Sequence, residues 1–323
     1  MAKRTAVKSK PADGVNPRQP CPCGSGKRYK ACHGAAGGAA DVIVSRPFEG
    51  LAAEAELIAL REFVPSATVK LPLAVGGADN QTTDGTRPII LATVLPMAAA
   101  GLIRADGTAF VGLQVQTRSG DLSRDLARAV QWALTAETGD ALAVVGPDDG
   151  ANPGRLQDLL DPEAALSPEL HPDFAWWLPP DNEPTGDVAL SLERANAAIL
   201  PTERVEAPGV EAAYWVDAGD KAHLRWVRPE PEETLLAALA RLSVRGELDL
   251  GEGSRYAGSF RAHGLLVPVW DLDRELHSSE WAPGAEALSK RLQDALTSLD
   301  TEPLTEPERR SRDGLRGRQI TLR

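Results

Sequence analysis

Three cysteines and one histidine lie close together near the start of the chain, at Cys21, Cys23, Cys32 and His33, and no other cysteine occurs. A secreted disulfide scaffold spreads an even number of cysteines along its length, whereas a tight cluster is typical of a metal site. Thiolates and imidazole suit tetrahedral zinc, and four protein ligands leave no open coordination position. The spacing therefore predicts a structural zinc site rather than a catalytic one.

The residues between these ligands fit a compact metal turn. Gly24 and Gly26 allow the backbone to fold back on itself, and three thiolates with one neutral imidazole leave one net negative charge on the bound ion. Lys27, Arg28 and Lys30 offset that charge. The GSGK run at residues 24–27 is not a nucleotide loop, because no strand precedes it and no helix pattern follows it.

The run CPCGSGKRYKACHG at residues 21–34 resembles the SEC-C motif, the zinc-binding segment at the C-terminal end of the preprotein translocase ATPase SecA. The resemblance implies zinc bound by Cys21, Cys23, Cys32 and His33. It also implies a docking element, since the SecA segment docks on the export chaperone SecB and on ribosomes. The candidate partner-binding residues are Lys27, Arg28, Tyr29 and Lys30. No GxxxxGK[ST] phosphate loop occurs, so the chain is not a SecA motor. A SEC-C motif ahead of an α+β body is similar to an uncharacterised bacterial family.

Charge is strongly segregated along the chain. Residues 1–34 hold eight Lys and Arg against one Asp, which gives +7, and residues 308–323 hold six Arg against two acids, which gives +4. Because the chain carries −11 in total, residues 35–307 carry −22. Such an acidic body repels nucleic acid and anionic lipid, so contact with a phosphate backbone is expected only through the two basic ends.

Composition divides the 323 residues into segments. In order, these are a disordered basic arm (1–20), the zinc module (21–34), a flexible linker (35–45), a first α+β unit (46–145), a Pro/Gly-rich connector (146–186), a second α+β unit (187–300) and an Arg-rich tail (301–323). Phe174, Trp176 and Trp177 are unusual for a free linker. We interpret them as anchors onto a neighbouring domain, and a partner-binding motif is the alternative.

Apolar periodicity gives both units the same content of strands and helices. Helical spacing is predicted from Leu51 to Pro65, from Leu122 to about Gly139, from Leu235 to Leu242 and from Leu288 to Leu299. Strands are predicted at 69–75, 88–95, 109–115, 255–260 and 265–270, with a hairpin at 214–226. Hairpins that lead into helices favour an α+β fold over a doubly wound parallel sheet. The similar helices LSRDLARAV and LSKRLQDAL raise the hypothesis of an internal duplication.

The remaining chemistry-bearing residues give no catalytic motif: HExxH, GxSxG and GxGxxG are all absent. His223 shares a strand face with Arg225, and we expect that face to be exposed to solvent. Asp271 and Asp273 are interpreted as solvated acids rather than as ligands of a divalent ion.

Two hypotheses of function follow. The first is an adaptor that docks on the ribosome or the export machinery; the alternative is an enzyme with its active site in the body. A basic N-terminus without an apolar stretch leads us to expect a cytoplasmic location.

Overall fold

The computed structural model describes residues 28–29, 43–74, 87–116, 119–146, 153–180, 182–318 and 320. Within these residues the predicted α+β class is confirmed, with six helices and two sheets. The helices are α1 (Glu54–Glu62), α2 (Leu122–Thr135), α3 (Gly186–Ala197), α4 (Glu232–Arg245), α5 (Ala282–Ser298) and α6 (Glu306–Gly317). The strands are β1 (Ala67–Lys70), β2 (Ile89–Ala92), β3 (Gly101–Ile103), β4 (Ala109–Gly112), β5 (Ala141–Leu142), β6 (Glu169–Leu170), β7 (Thr202–Arg204), β8 (Ala213–Asp217), β9 (Ala222–Trp226), β10 (Arg255–Ala262) and β11 (Leu265–Leu272).

The first sheet is mixed and has the strand order β5-β3-β4-β2-β1-β6. β2 and β4 run parallel, and the other pairs are antiparallel. Leu91 and Val111, which are partners in register, face a core that also contains α1 and α2. Ile90 and Phe110 face the opposite side. The side chain of Asp121 caps the N-terminus of α2 by accepting from two backbone N–H groups, which fixes where that helix begins.

The connector covers the second face of this sheet. The ring centroid of Trp176 lies 5.7 Å from that of Phe110, and its indole N–H donates to Ser66 Oγ over 2.9 Å. The indole N–H of Trp177 donates to the carbonyl of Val94 over 3.0 Å. Both rings are partly buried, and aromatic rings packed on a neighbouring surface with satisfied N–H groups are typical anchors. The interpretation of these tryptophans as anchors is therefore confirmed.

The second sheet is antiparallel throughout and has the order β10-β11-β9-β8-β7. The predicted hairpin is β8 and β9, and the two predicted strands after α4 are β10 and β11. One face, with Trp226 and Trp270, packs in a core with α4 and α5. The first turn of α5 approaches the loop before β10 so closely that a Cβ at Gly284 would lie 2.0 Å from the carbonyl oxygen of Leu250. Only glycine fits at that position.

The other face of the second sheet packs against the first unit. Tyr214, Val216 and Val267 belong to the same core as α1 and the first sheet. α1 is buried on most of its surface, as expected for a helix between two sheets. The expectation that His223 and Arg225 lie on a solvent-exposed face is therefore wrong for Arg225, which is 5% exposed. α1, which is distant in sequence, covers the face that we expected to be exposed to solvent.

The C-terminal tail contains a helix that sequence periodicity did not indicate. α6 packs against α4, and the Nε of Arg241 donates to Glu308 over 3.0 Å with both side chains buried. Beyond α6, Ser259 in β10 exchanges backbone hydrogen bonds with Arg318 and Ile320.

The fold gives the hypothesis of an internal duplication no support. The two sheets differ in topology, and α2 packs on a sheet whereas α5 packs mainly on α4. Every helix that the structure describes is too short or too polar to span a bilayer.

Candidate functional sites

The predicted zinc ligands lie outside the described residues. This applies to Cys21, Cys23, Cys32 and His33, and to the candidate partner-binding residues Lys27 and Lys30. Of that module the structure describes Arg28, which is exposed, and Tyr29, which is partly exposed. The coordination geometry at the N-terminus therefore stays a prediction from the sequence.

The described part of the body holds no group of three or more His, Cys, Asp and Glu side chains placed to bind a metal ion. Asp271 and Asp273, considered above as a pair, serve separate purposes. Asp271 accepts from Lys221 over 2.6 Å and from Arg255 over 2.8 Å. Asp273 accepts from the backbone N–H of Glu275 and so stabilises the turn after β11. The two carboxylates do not form a cation site.

A serine, a histidine and a glutamate meet near the start of α5, but they do not form a hydrolytic triad. The hydroxyl of Ser278 donates directly to Glu203, and Ser278 is buried. The imidazole of His277 caps the following turn through the N–H of Ser279. His277 Nδ1 lies 3.3 Å from the hydroxyl oxygen of Ser278, but a serine nucleophile must give its proton to the histidine and be open to substrate, and Ser278 is buried with its hydroxyl bonded to Glu203. This cluster is a helix cap.

One row of side chains across the second sheet places two arginines and a tyrosine next to one another. Arg204 on β7 pairs in register with Tyr214 on β8, and Tyr214 pairs with Arg225 on β9. Cross-strand partners project on the same face, so these three side chains lie side by side. This face is the one that packs against α1. We refer to Arg204, Tyr214 and Arg225 as the basic row.

Glu56 of α1 lies over the basic row. Its carboxylate accepts a hydrogen bond from the hydroxyl of Tyr214 and forms an ion pair with Arg204, whose Nη2 lies 3.2 Å from Glu56 Oε2. Burial raises the pKa of Glu56, and the hydrogen bond from Tyr214 opposes that shift. Burial, followed by the Glu56 charge, raises the pKa of Tyr214 well above its usual value. Both shifts follow from placing polar groups in a core of low polarity.

Arg225 lies in this row without an acidic partner. No described residue forms a salt bridge with its guanidinium, and its Nε is buried without a hydrogen bond. The group lies over the ring of Phe63, 5.9 Å from the centroid. Burial lowers the pKa of Arg225 to about 10. Because a buried charge is costly unless it is paired, this arrangement requires a specific explanation.

A second row lies next to the basic row on the same face. His223 of β9 pairs in register with Val216 of β8 and with Asp271 of β11. Burial, followed by the charge of Arg225, lowers the pKa of His223. Burial opposes ionisation of Asp271, but hydrogen bonds from Lys221 and Arg255 outweigh it, so the pKa of Asp271 is lowered.

Sequence reasoning missed the roles of Glu56, Tyr214 and Arg225. One signal was present, since His223 and Arg225 alternate with the apolar Leu224 and Trp226 and so share a face. Alternation shows which residues share a face, but it does not show whether that face is later covered. Arg225 is buried because α1 packs on this face of the second sheet.

Two family models match the chain. A model described as the SEC-C motif matches residues 18–35, which confirms the motif predicted at 21–34. A model described as a family of unknown function (DUF5926) matches residues 47–323. Comparisons with curated proteins and with solved structures gave no match.

Proposed function

Because this chain belongs to DUF5926, a family of unknown function, we propose a function from its own residues: it is a docking protein whose SEC-C motif binds zinc and attaches the body to a partner. One observation carries this proposal. The SEC-C match at residues 18–35 contains all four candidate ligands, Cys21, Cys23, Cys32 and His33. Three thiolates and an imidazole form a closed zinc site, and closed sites organise structure rather than catalysis.

The proposed partner is the ribosome, with the protein-export machinery as the other outcome of the test, and docking takes place in the cytoplasm. Residues 1–34 carry +7 beside a body that carries −22. A basic segment of this density is attracted to ribosomal RNA, while the acidic body keeps the remaining surface away from it. Lys27, Arg28, Tyr29 and Lys30 lie between the ligands, so zinc binding would hold them in one loop.

The alternative, an enzyme with its active site in the body, has less support. Such a site needs carboxylates or nucleophiles available to a substrate. Glu56 is already bonded to Tyr214 and Arg204, and Asp271 is bonded to Lys221 and Arg255. The charged groups of the body suit binding better than acid–base chemistry.

Ribosome co-sedimentation of the full chain tests the proposal at low and at physiological salt. We expect the parent protein to sediment with ribosomes and to dissociate steeply as salt rises, because phosphate contacts release counterions. Cys21→Ser should abolish binding by removing a zinc ligand. The double substitution Lys27→Gln and Lys30→Gln should weaken binding while the zinc content stays at the parental value.

Ser9→Ala, outside the SEC-C match, is the matched control and should bind like the parent. A pull-down with the export chaperone SecB, run with the same variants, reports the other partner. Equal recovery of the parent and Cys21→Ser proteins in both assays would show that the motif is not a docking element.

A further inference from the structure

The structure describes two buried arginines, and their surroundings differ completely. Arg241 is 1% exposed and donates to Glu308, to the hydroxyl of Ser298 and to the carbonyl of Glu302. Arg225 is 5% exposed and makes none of these contacts. Leaving a guanidinium buried without a counter-charge is strongly unfavourable, because the group loses its hydration and gains no partner. No described residue supplies a counter-charge to the guanidinium of Arg225.

A second unpartnered nitrogen lies beside the first. Nδ1 of His223 and Nε of Arg225 are both buried, and neither nitrogen has a hydrogen-bond partner. The two residues are two positions apart on β9, so both project from the same face of the sheet. Their register neighbours are Val216 and Asp271 for His223, and Tyr214 and Val269 for Arg225. The hydroxyl of Tyr214 bonds Glu56, and Asp271 lies 3.6 Å from Nε2 of His223, so neither residue bonds the two unpartnered nitrogens.

We propose that Arg225 and His223 form a binding site for the phosphate or carboxylate group of a small molecule. A guanidinium offers several N–H donors in a planar fork that matches an oxyanion. Nδ1 of His223 adds a donor when the imidazole is protonated, because the Asp271 carboxylate, 3.6 Å from Nε2, favours the single proton of the neutral ring on Nε2. The ligand supplies the missing counter-charge. This inference does not depend on the zinc motif or on docking, and it concerns the body alone.

The charges around the site favour an anion. Lys221 and Arg255 share the single carboxylate of Asp271, so these three side chains together carry one net positive charge in an otherwise acidic body. Exposure also rises along the face away from Arg225. The side chains of His223, Lys221 and Arg255 are 22%, 50% and 75% exposed. An anionic group would approach from this open end and reach Arg225 last.

A purely structural role is the competing explanation. The ring of Phe63 lies at 5.9 Å, close to the outer limit of a cation–π contact. Such a contact stabilises the charge by less than the cost of burying it unpaired. The ring covers the guanidinium, but it does not replace a counter-charge.

Calorimetric titration and thermal unfolding of the full chain test the site, with phosphate, sulfate and acetate compared against chloride at equal ionic strength. We expect a saturable heat and a raised unfolding midpoint with phosphate and sulfate, or with acetate if the ligand is a carboxylate. Arg225→Met should weaken binding at least ten-fold. In chloride its midpoint should equal or exceed that of the parent, because an unpaired charge has been removed.

Arg228→Met is the matched control, since Arg228 has its own partner in Glu230 and stacks on Trp226. It should bind oxyanions like the parent. If Arg225→Met does not fold, Arg225→Lys and His223→Ala replace it, each with a several-fold loss of affinity expected. Absence of a saturable heat, or an equal midpoint shift in the parent and in all Arg225 and His223 variants, would overturn the site.

Discussion

The hydroxyl of Tyr214 donates a hydrogen bond to the carboxylate of Glu56, and this contact joins α1 to the second sheet across 158 positions of sequence. Both groups are buried, and Arg204 closes the cluster from the edge strand β7. The contact fixes how α1 lies on the sheet. Phe63, at the end of α1, packs edge-on against the ring of Tyr214 and covers the neighbouring Arg225.

Tyr214→Phe should lower the free energy of unfolding by about 1–3 kcal/mol, because the buried carboxylate of Glu56 loses a donor. Urea unfolding at neutral pH measures this loss. The same substitution in a Glu56→Gln background is the control, and there the loss should be smaller because the acceptor is uncharged. An equal loss in both backgrounds would mean that the hydroxyl does not act through Glu56.

Glu56→Gln should change the pH dependence of stability in a defined direction. The pKa of Glu56 is raised in the folded state, so the folded protein holds a proton that the unfolded chain releases. The parent therefore loses stability as pH rises from the ordinary carboxyl range, about 4.3, through the raised value. The Gln variant lacks this loss. Relative to the parent it should gain stability with rising pH, and urea unfolding across that range would show it; a constant difference would contradict the raised pKa.

Arg241→Met should destabilise the body by about 3–5 kcal/mol, because it leaves Glu308 buried without its counter-charge. The double variant Arg241→Met with Glu308→Met should lose much less, since no charge is then stranded. Chemical unfolding of the four proteins completes a double-mutant cycle.

Deleting residues 308–323 would remove Glu308 as well as the arginines of the basic tail. Charge substitution at the exposed Arg309 and Arg310 therefore tests the basic tail without removing Glu308.

The SEC-C motif should carry one zinc ion per chain, measured by elemental analysis of protein purified without chelator. Metal binding and folding are coupled in so small a module. Chelation should therefore release zinc while the unfolding midpoint of the body stays unchanged. Cys21→Ser should show the same body midpoint with reduced zinc. Metal-free parent protein, or unfolding of the body on chelation, would contradict the prediction.

Sulfate affinity should rise as pH falls, because a bound anion favours the protonated form of His223. The pKa of His223 is lowered in the free protein, and the charges that face it are Lys221, Arg225 and Asp271, with Arg255 beyond. Below its ordinary value, about 6.5, an added proton on His223 would attract the anion. Sulfate keeps a constant charge in this range, so the change reports on the protein. His223→Gln should bind sulfate with little dependence on pH, and an unchanged pH profile in that variant would exclude the histidine.

Local sequence patterns determined much of the fold. The periodic segments became α2, α4 and α5, and the turn at 218–220 became the β8–β9 hairpin. Ala109, Val111 and Leu113, which alternate with their neighbours in the strand predicted at 109–115, lie in the core. These elements were predictable because each buries one continuous side, which leaves a regular trace in the sequence. The SEC-C motif was predictable for a different reason, since it is a short run of residue types at fixed spacing that can be recognised without any tertiary contact.

The sequence by itself thus determined the α+β class, the SEC-C motif and the segregation of charge. Only the tertiary structure decided which charged side chains are buried. α6 was missed because it is rich in arginine, and its place depends on the contact between Glu308 and Arg241. Arg225 alternates as a surface residue does, and it is buried because α1, from the other half of the fold, covers its face of the sheet. Apolar periodicity shows which side of a helix or strand is apolar and which is polar. Whether the polar side is buried depends on packing between elements far apart in the chain.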